Sequence, residues 1–587
     1  MTEENTAEIV KPRTLDTALA DWVLQRFAAD RNATEKAQLK KLIQAVSHAV
    51  YLKHSCLDLA MIDQLQEPLL DELLEGFDGG QVKTLLKTQC RPLEYSDDGR
   101  RIWLQKYHFF EQSCVRKIRS MTARPLQQHE QYRKALQTLF PPNNNAGELE
   151  KTGHDQQMAA SNMALQNRFA MITGGPGTGK TYTLARIIAL LLQADRDCHI
   201  TLAAPTGKAG QRMRQALEDA MNDPAIAALK LPPERIPQTA STLHSLLGIG
   251  YHSPRPRYHQ RNTLGTNVLI IDEASMIDLP MMHRLLDALD DHTRLILLGD
   301  KDQLASVEAG SVLAELCQCQ ALAHCTANIT VSRRFAHKPA IGELAAWLND
   351  CDTIKQADFS SDNDVNMHTS IPGTGWHPAW LEQAAAAYKA LQQTIADSLS
   401  VADILARQTD FQLLCALRHG PFGVTGINSL IEKKLGKNED SWYPGKPLMI
   451  TRNDRARKLF NGDVGMVLPL SDDDQHVDIN SNRLKACFLT ENGFKAISRP
   501  QMPEHETCYA LTVHKSQGSE YRHVMIVLPD NAEDVRSNPV LSKELAYTAV
   551  TRARDHIDIY AGRDVLQTMA RQATARMSGL GWMTERA

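Results

Sequence analysis

The stretch GGPGTGKT, Gly174 to Thr181, combines residue types that bind phosphate groups. It fits G-x-x-x-x-G-K-[ST], in which glycines turn backbone N–H groups onto phosphate oxygens and a helix N-terminus adds a favourable dipole. Lys180 is expected to reach the β- and γ-phosphates of a nucleoside triphosphate, and Thr181 to ligate Mg²⁺. The alternative is a chance glycine-rich turn. The predicted nucleotide-binding residues are Gly174, Gly175, Pro176, Gly177, Thr178, Gly179, Lys180 and Thr181.

Acidic and amide side chains follow two later apolar runs. VLIIDEAS ends with Asp272 and Glu273, and LLGDKDQL contains Gln303. Asp272 is expected to hold Mg²⁺ and Glu273 to accept a proton from the attacking water. An isolated Asp-Glu pair could be a solvated turn, but a phosphate loop upstream in the same sheet favours the catalytic interpretation. Gln303 could sense the γ-phosphate or orient the water.

Hydrolysis also needs positive charge opposite the γ-phosphate. The candidates are Arg334 in VSRRFAH and Arg552 in YTAVTRAR. Most isolated arginines are solvated surface groups, and spacing alone does not distinguish these two from them.

The elements that position these residues alternate along the chain. Apolar runs between helical segments, such as FAMITGG, NVLIIDEAS and RLILLGD, predict a parallel α/β sheet. A second set, FQLLCAL, HVMIVLP and HIDIYAG, predicts another. Between them, residues from about Trp442 to Glu504 read as all-β, with hairpin signals at Asn461-Gly462 and Asn492-Gly493.

The domain boundaries follow from these changes of pattern. Residues 1–145 are predicted to form a mainly helical N-terminal domain that ends in the turn-rich FPPNNNAGE. Residues 146–340 and 341–587 are predicted to form the two α/β domains. We expect a hairpin insertion at about 248–266 in the first and a β insertion at about 441–505 in the second.

Composition excludes several protein classes. The chain has 587 residues, 43% hydrophobic and 23% charged, as in ordinary soluble proteins. Its acidic N-terminus lacks an apolar signal segment, and IIALLL is far shorter than the roughly 20 residues of a membrane span. We therefore expect a cytoplasmic protein without membrane contact. With a net charge of −4, nucleic acid would bind in a local groove, or partners would share the contacts.

Seven blocks together resemble superfamily 1 helicases: GGPGTGKT, APTGKA, IDEAS, GDKDQL, RRF, VHKSQGSE and YTAVTRAR, in this order between about Gln157 and Arg554. Within that superfamily the sequence is similar to the RecD family, the alpha subunits of exodeoxyribonuclease V. Supporting stretches are STLHSLLG, DQLASVEAGSVL, GPFGVTGIN, FNGDVG and PEHETCYALTVHKSQGSE. The family usually has Tyr where this chain has Arg333.

The resemblance implies roles for individual residues. Gln157 matches a glutamine that pairs with adenine, and Arg334 and Arg552 match two arginines that reach the γ-phosphate. Gly518 and Glu520 match a block that meets the nucleotide. The implied contacts to single-stranded DNA are Thr206, Lys208, Thr242, His244, Thr512, His514, Lys515 and Ser516.

The resemblance also implies a fold and an activity. We expect two RecA-like domains with ATP and Mg²⁺ between them, an SH3-like β insertion, and 5′→3′ DNA helicase activity; Gln517 to Glu520 carries the polarity assignment. The implied partners are single-stranded and duplex-end DNA and RecB-like beta and RecC-like gamma subunits, with the N-terminal domain docking on gamma. No Asp…(Asp/Glu)-x-Lys constellation typical of a metal-dependent nuclease occurs at a strand pair, so a partner would supply the cutting residues. The alternatives are a stand-alone helicase and a regulatory subunit whose ATP site is structural.

Two further stretches leave their alternatives open. GYHSPRPRYHQRNTL, Gly250 to Leu264, mixes rings with cations and suits either a duplex-splitting hairpin or an ordinary exposed loop. Cys317, Cys319 and Cys325 could bind metal, but their spacing lacks a Cys-x-x-Cys pair and favours buried small hydrophobic residues.

Overall fold

Apolar strands that alternate with helices build the protein around two parallel sheets. The computed structural model describes residues 11–586 apart from 66, 88–91, 124–125, 127–129, 142–146, 251–252, 254, 336–337, 352–363, 371–378, 397–399, 455, 491–492 and 563. The architecture confirms the predicted α/β class with two parallel-sheet domains and a mainly helical N-terminal region.

The N-terminal region packs helices around a small antiparallel sheet of order β1-β3-β2. The stretch RIWLQKYHFF forms a strand that runs directly into a helix, as its pattern predicts. Trp103 on that strand is fully buried. The elements are α1 (Thr14–Phe27), α2 (Ala33–Tyr51), β1 (Leu57–Asp58), α3 (Ile62–Leu65), α4 (Pro68–Leu74), α5 (Gly79–Leu86), β2 (Leu93–Tyr95), β3 (Arg101–Leu104) and α6 (Gln105–Thr122).

The first parallel sheet and the helices around it are called lobe one. Its elements are α7 (Glu130–Leu139), α8 (Glu148–Gln166), β4 (Phe169–Gly174), α9 (Lys180–Ala194), β5 (Ile200–Ala204), α10 (Gly207–Met221), α11 (Pro224–Ala227), β6 (Ala240–Thr242), α12 (Leu243–Leu246), β7 (Val268–Ile271), α13 (Leu279–Asp287), β8 (Arg294–Gly299), α14 (Val312–Gln318) and β9 (Thr326–Ile329). The strand order is β6-β5-β7-β8-β4-β9, with all neighbours parallel. Strands β4, β7 and β8 are buried along their whole length, which explains their continuous apolar runs.

The rest of the chain forms a second parallel sheet, here lobe two, with an antiparallel sheet inserted in it. Lobe two has the order β10-β19-β18-β11-β17, and the insertion has the order β15-β14-β13-β12-β16. The elements are α15 (Pro339–Asn349), β10 (Val365–Ser370), α16 (Ala379–Ala396), α17 (Val401–Ala406), β11 (Phe411–Cys415), α18 (Val424–Lys434), β12 (Pro447–Ile450), β13 (Val464–Pro469), β14 (Leu484–Thr490), β15 (Gly493–Ser498), β16 (His505–Thr507), β17 (Ala510–Thr512), β18 (Tyr521–Val527), α19 (Ala532–Arg536), α20 (Lys543–Val550), β19 (Ala553–Gly562), α21 (Val565–Arg571) and α22 (Leu580–Arg586).

The two Asn-Gly pairs of the insertion behave differently. Thr490 pairs with Gly493 across the β14–β15 hairpin, as the second pair predicts, although Asn492 itself lies outside the described residues. Asn461-Gly462 instead lies in a long loop between the antiparallel strands β12 and β13, so the prediction of a short hairpin turn there is wrong. The amide of Gly462 donates to the Ile450 carbonyl, which ties this loop to the strand.

Two segments pack on a different unit from the one their sequence position predicts. Helix α7 lies within the predicted N-terminal domain, yet Leu139 and Phe140 at its end are buried in the core of lobe one. Helix α22 is predicted to belong to the second α/β domain, yet the nearby Met577 is buried in the N-terminal core, and Trp582 lies 6.3 Å from Trp103 between ring centroids. Both segments are placed by the apolar surface they bury there, which periodicity within a helix does not specify.

None of the helices among the described residues is both long and apolar enough to cross a bilayer.

Candidate nucleotide and nucleic-acid sites

The loop that joins β4 to α9 has a backbone that only glycine accommodates at two positions. Gly177 and Gly179 have φ of 74° and 84°, in the left-handed region. A Cβ on Gly177 would lie 2.4 Å from the Cβ of Arg334, and one on Gly179 would lie 2.3 Å from the Gln157 amide nitrogen. The loop therefore folds closely against both neighbours, and its backbone can approach a bound phosphate.

Lys180, the first residue of α9, folds back over this loop. Its Nζ donates to the carbonyls of Gly174 at 2.5 Å and Gly175 at 3.0 Å. The amide of Gln157 donates to the Thr178 carbonyl at 2.8 Å, while its buried Oε1 has no partner in the described structure. A ligand with a hydrogen-bond donor, as an adenine base has, would satisfy this oxygen.

The two acidic residues after β7 lie opposite the loop. The backbone amide of Glu273 donates to Asp272 Oδ1 at 2.9 Å, and Glu273 has a left-handed φ of 54°, uncommon for a residue other than glycine. Burial and the charge of Glu273 raise the pKa of Asp272 to about 6, although Lys180 acts in the opposite direction. Adjacent carboxylates under this repulsion favour a bound cation, so the donor set fits Mg²⁺.

Gln303 of lobe one and Tyr547 of lobe two donate to the same carboxylate, that of Asp300. Gln303 Nε2 donates to Asp300 Oδ2 at 2.9 Å, and the same oxygen accepts from the Tyr547 hydroxyl on α20 at 3.1 Å. Gln303 is buried, and its Oε1 has no partner in the described structure. The free oxygen is consistent with a group that meets a water or ligand in the cleft.

The linker from lobe one to lobe two passes directly over the phosphate loop. Ser332 Oγ donates to the Pro176 carbonyl at 2.8 Å and the Arg333 amide to the Gly177 carbonyl at 2.9 Å. The Arg333 guanidinium lies over the Tyr182 ring on α9, whereas Arg334 forms an ion pair with Glu520 at 2.7 Å. Arg334 is thus the linker arginine that lines the cleft, despite the substitution at 333.

The other predicted arginine reaches the cleft from lobe two. Arg552 is buried, its Nε donates to the Thr548 carbonyl at 3.1 Å, and its Nη1 donates to the Ser519 carbonyl at 3.2 Å. Burial lowers the pKa of its guanidinium. Glu520 pairs with Arg554 at 3.2 Å as well as with Arg334. Although burial favours the protonated form, the charges of Arg212, Arg334 and Arg554 keep the pKa of the Glu520 carboxyl far below its ordinary value.

Arg212 on α10 is a site residue that the motifs miss. Its Nη1 donates to the Gly518 carbonyl at 2.6 Å, and its Nη2 pairs with Glu520 at 3.1 Å. It therefore joins lobe one to lobe two across the cleft. The available signal was its position five residues after Gly207 of APTGKA, more than one helical turn into α10.

These side chains surround a cavity of about 290 Å³. The predicted residues that line it are Pro176, Gly177, Gly179, Lys180, Thr181, Asp272, Glu273, Gln303, Arg334, Gly518, Glu520 and Arg552. The remaining predicted nucleotide residues, Gln157, Gly174, Gly175 and Thr178, support the loop from behind, through the contacts of Lys180 and Gln157.

The predicted DNA residues follow the same local design in both lobes. Thr242 ends β6 and Thr512 ends β17, and each has a φ near −72° and a ψ of 149°. Each hydroxyl caps the turn that follows by accepting from the backbone amide three residues later, Ser245 at 3.2 Å and Lys515 at 3.3 Å. Thr206 caps α10 in the same way. His244 and His514 occupy equivalent positions two residues after their threonines.

Ser516 is a correction to the predicted DNA contacts. It is fully buried, and its hydroxyl donates to the Val513 carbonyl at 2.7 Å. A serine in the last position of this tight turn satisfies its own backbone and points away from the surface. Lys208 is half-buried, and burial lowers the pKa of its amine to about 8.

The loop between β12 and β13 covers this surface. Phe460 packs so closely on Gly207 that a Cβ there would lie 2.8 Å from the ring. Asn461 Oδ1 accepts from Lys515 Nζ at 2.8 Å. The insertion therefore contacts candidate DNA-binding segments of both lobes.

Cys317, Cys319 and Cys325 pack in or against the lobe-one core. Burial raises the pKa values of these thiols to about 12, 11 and 12, which disfavours the thiolate that a metal needs. The predicted alternative of small buried side chains describes them better.

The fold and cavity define a two-lobed P-loop nucleoside triphosphatase. The sequence matches the AAA domain family over residues 156–309 and the UvrD-like helicase C-terminal domain family over residues 507–559. It is 34% identical to the RecBCD enzyme subunit RecD of Haemophilus influenzae over 83% of this chain and 79% of that protein. It is 36% identical to the RecBCD enzyme subunit RecD of Mycolicibacterium smegmatis over 73% and 74%, and 29% identical to the ATP-dependent RecD2 DNA helicase of Deinococcus radiodurans over 76% and 56%. The chain belongs to the RecD family.

Proposed function

We propose that this chain is an ATP-driven 5′→3′ DNA helicase and a motor subunit of a RecBCD-type helicase–nuclease that acts on broken duplex ends in repair and recombination. The observation that carries the proposal is the cavity between the lobes. It is lined by Lys180, Asp272 and Glu273 from one side and by Glu520 and Arg552 from the other.

Several residues that line the cavity have a proposed role in ATP hydrolysis. Lys180 exchanges its loop carbonyls for the β- and γ-phosphates of ATP, and Glu273 accepts a proton from the attacking water. Gln303 orients that water through its free Oε1. Arg334 and Arg552 stabilise the charge that develops on the γ-phosphate.

Mg²⁺ would be held by Thr181 and Asp272 and would neutralise charge on the phosphate oxygens. The fit rests on the partly buried Asp272 carboxylate, whose ordinary ionisation is opposed until a cation shares the site.

The same side chains provide a switch between two states. Glu520 pairs with Arg334, Arg212 and Arg554. ATP competes for Arg334, so its binding and loss bias how the lobes close, and that bias drives movement along DNA.

The proposed DNA path crosses Thr206 and Thr242 of lobe one and Thr512 and Lys515 of lobe two. Hydroxyls, exposed backbone amides and a few cations contact phosphates without reading sequence. The repeated threonine-capped turn supports this path, since a strand that steps between lobes then meets equivalent contacts on each. His244 and His514 flank it.

The partners are RecB-like and RecC-like subunits, one of which supplies the nuclease residues. Support comes from the relatives named RecBCD enzyme subunits and from exposed large apolar side chains on the N-terminal region, Leu15, Trp22 and Phe109. Such side chains suit a protein interface.

The loop at 250–264 remains a candidate for separating strands. Tyr258 packs against the lobe-one core, and Arg255 and Arg257 are exposed. Tyr251 and His252 lie outside the described residues. Deleting the tip is expected to lower the base pairs opened per ATP while DNA-stimulated ATPase persists.

Two measurements test the proposal. Lys180→Gln is expected to abolish ATPase and unwinding with an unchanged circular-dichroism spectrum; normal turnover by this variant would refute the assignment. The purified complex is expected to show this chain's motor activity on duplexes with a 5′ tail when the partner motor is inactivated. Preference for a 3′ tail would contradict the proposed 5′→3′ polarity.

A further inference from the structure

Three histidines surround one buried carboxylate on a face of the lobe-two sheet. His368 lies on β10, His523 on β18, and His556 and Asp558 on the strand between them, β19. Asp558 is fully buried, and each histidine side chain is about one quarter to one third exposed. None of the four lines the nucleotide cavity.

An irregular register brings these side chains onto one face. Tyr521 pairs with Ala553, but His523 pairs with His556, so β19 contains one more residue than β18 over this interval, as in a β-bulge. In regular pairing His523 would lie opposite Asp555. Because side chains alternate between faces, the shift places His523 on the face that carries His556 and Asp558.

The imidazole nitrogens converge on the two oxygens of Asp558. His523 Nε2 lies 2.6 Å from Oδ2 and His556 Nε2 lies 3.3 Å from it, while His368 Nε2 lies 2.8 Å from Oδ1. The amide nitrogens of Asn366 and Gln383 also approach, at 3.1 Å from Oδ1 and 2.7 Å from Oδ2. Five nitrogens thus share a carboxylate that has about four lone-pair sites.

His556 Nε2 lies between two polar neighbours, an amide and a carboxylate. Asn366 Nδ2 can only donate, and its contact with Asp558 Oδ1 fixes the amide orientation. The same nitrogen lies 3.2 Å from His556 Nε2, which accepts that bond in the tautomer whose proton is on Nδ1. In that tautomer the Nε2 lone pair also faces Asp558 Oδ2, whereas a protonated Nε2 donates to it. A cation between the two atoms would turn the repulsion into coordination.

We propose that His523, His556 and Asp558 bind a divalent transition-metal ion of the zinc type, with His368 as the fourth ligand. The potential ligand atoms of the first three lie within 4.8 Å of one another. Tetrahedral bonds of roughly 2.0–2.2 Å to zinc place the ligand atoms about 3.3–3.6 Å apart. Side-chain rotations that move these atoms by about 1 Å, opening the 2.6 Å pair of His523 and Asp558 and closing the wider ones, would complete the site. Imidazole with one carboxylate suits Zn²⁺ and its neighbours, whereas Mg²⁺ and Ca²⁺ favour oxygen ligands.

The ion would serve the motor by fixing three strands of lobe two. β18 begins directly after Glu520, and β19 begins directly after Arg552. Four protein ligands form a closed site, which is typical of a structural ion.

Metal analysis of the full-length chain tests the site. The chain is stripped with a chelator, dialysed against ZnSO₄ and then against metal-free buffer. We expect one equivalent of zinc to remain, a higher melting temperature than that of the stripped chain, and, after reconstitution with Co²⁺, the visible absorption of a four-coordinate nitrogen and oxygen site. His556→Gln is expected to lose the bound equivalent and the zinc-dependent rise in melting temperature, whereas His476→Gln, an exposed histidine of the insertion, retains both.

Three results would overturn the proposal. One is a wild-type chain that retains no zinc and shows no cobalt spectrum. Another is a His556→Gln variant that binds zinc as the wild type does. The third is a melting temperature that responds to pH but not to zinc, which would mean that protons alone supply the positive charge around Asp558.

Discussion

Asp272 shows how a catalytic carboxylate opposes the stability of its own fold. Its folded pKa of about 6 lies above the ordinary value of 3.8, so the folded state binds the proton more tightly than the unfolded chain does. The contribution of the protonated Asp272 carboxyl to the free energy of unfolding is complete below about pH 4 and is lost as the pH rises through 6. The functional ionised form is therefore the destabilising one until a cation binds.

Asp272→Asn should accordingly stabilise the ligand-free protein at neutral pH. We expect a gain of the order of 1 kcal/mol at pH 7.5, because one pKa unit corresponds to about 1.4 kcal/mol and solvent still screens this partly buried group. At pH 4 the difference should nearly vanish. Chemical denaturation at both pH values measures it, and ATPase should be lost throughout. An equal gain at both pH values would contradict the ionisation argument.

Arg212 should couple nucleotide chemistry to lobe closure. Removing its guanidinium breaks the contacts with Gly518 and Glu520 that span the cleft. For Arg212→Ala we expect kcat/KM for ATP to fall about tenfold or more, since a partly buried charge pair across an interface is lost. Arg214→Ala is the matched control, because Arg214 on the same helix pairs with Glu218 within α10. Equal effects of both variants would exclude a specific role.

At the scale of elements, the strands were predictable wherever burial makes them continuously apolar. β4, β7, β8, β11, β18 and β19 follow the expected runs. β6 and β17 are only three residues long, and their threonines belong as much to the following turn as to the strand, so periodicity does not detect them. The phosphate loop, in contrast, is predictable from the spacing of its residues alone.

The contacts across the cleft were not predictable from spacing. Arg212 and Glu520 are more than 300 positions apart, and no local pattern states that they meet. The same holds for Phe460 on Gly207, which places the β insertion against the DNA-binding candidates. The roles of Arg334 and Arg552 follow from the family resemblance. The role of Arg212 follows only from its tertiary contacts with Gly518 and Glu520.

The β12–β13 loop should help to hold single-stranded DNA. Phe460→Ala removes the ring that packs on Gly207 beside Lys208, and so loosens the insertion from lobe one. We expect about a tenfold weaker affinity for single-stranded DNA, equivalent to about 1.4 kcal/mol, with ATP affinity unchanged. Fluorescence anisotropy with a labelled oligonucleotide measures this. Leu489→Ala, an exposed apolar residue of the same insertion, is the control; if it weakens binding equally, the loop has no particular role.

At the scale of the whole molecule, the C-terminal segment ties three units together. It leaves lobe two at α21, crosses the loop after Gln303 in lobe one, and ends against the N-terminal core. Arg576 makes the middle contact, donating to the carbonyls of Ser306 at 2.6 Å, Glu308 at 2.8 Å and Gly310 at 3.0 Å. One residue later, the Met577 carbonyl accepts from the amide of Ser55 at 3.0 Å.

This connection predicts that Arg576 affects both stability and catalysis from a position outside the nucleotide cavity. Arg576→Ala leaves three carbonyls without their charged donor, a loss of about 1–3 kcal/mol, and frees the loop that follows Gln303. We expect a lower melting temperature, earlier proteolysis after residue 572, and a reduced kcat for ATP with little change in KM, because the water-orienting amide is less firmly held while the phosphate loop is intact. Arg536→Ala, an exposed arginine at the end of α19, should change none of these. A melting temperature that falls while kcat is preserved would show that the segment fastens the units together without positioning Gln303.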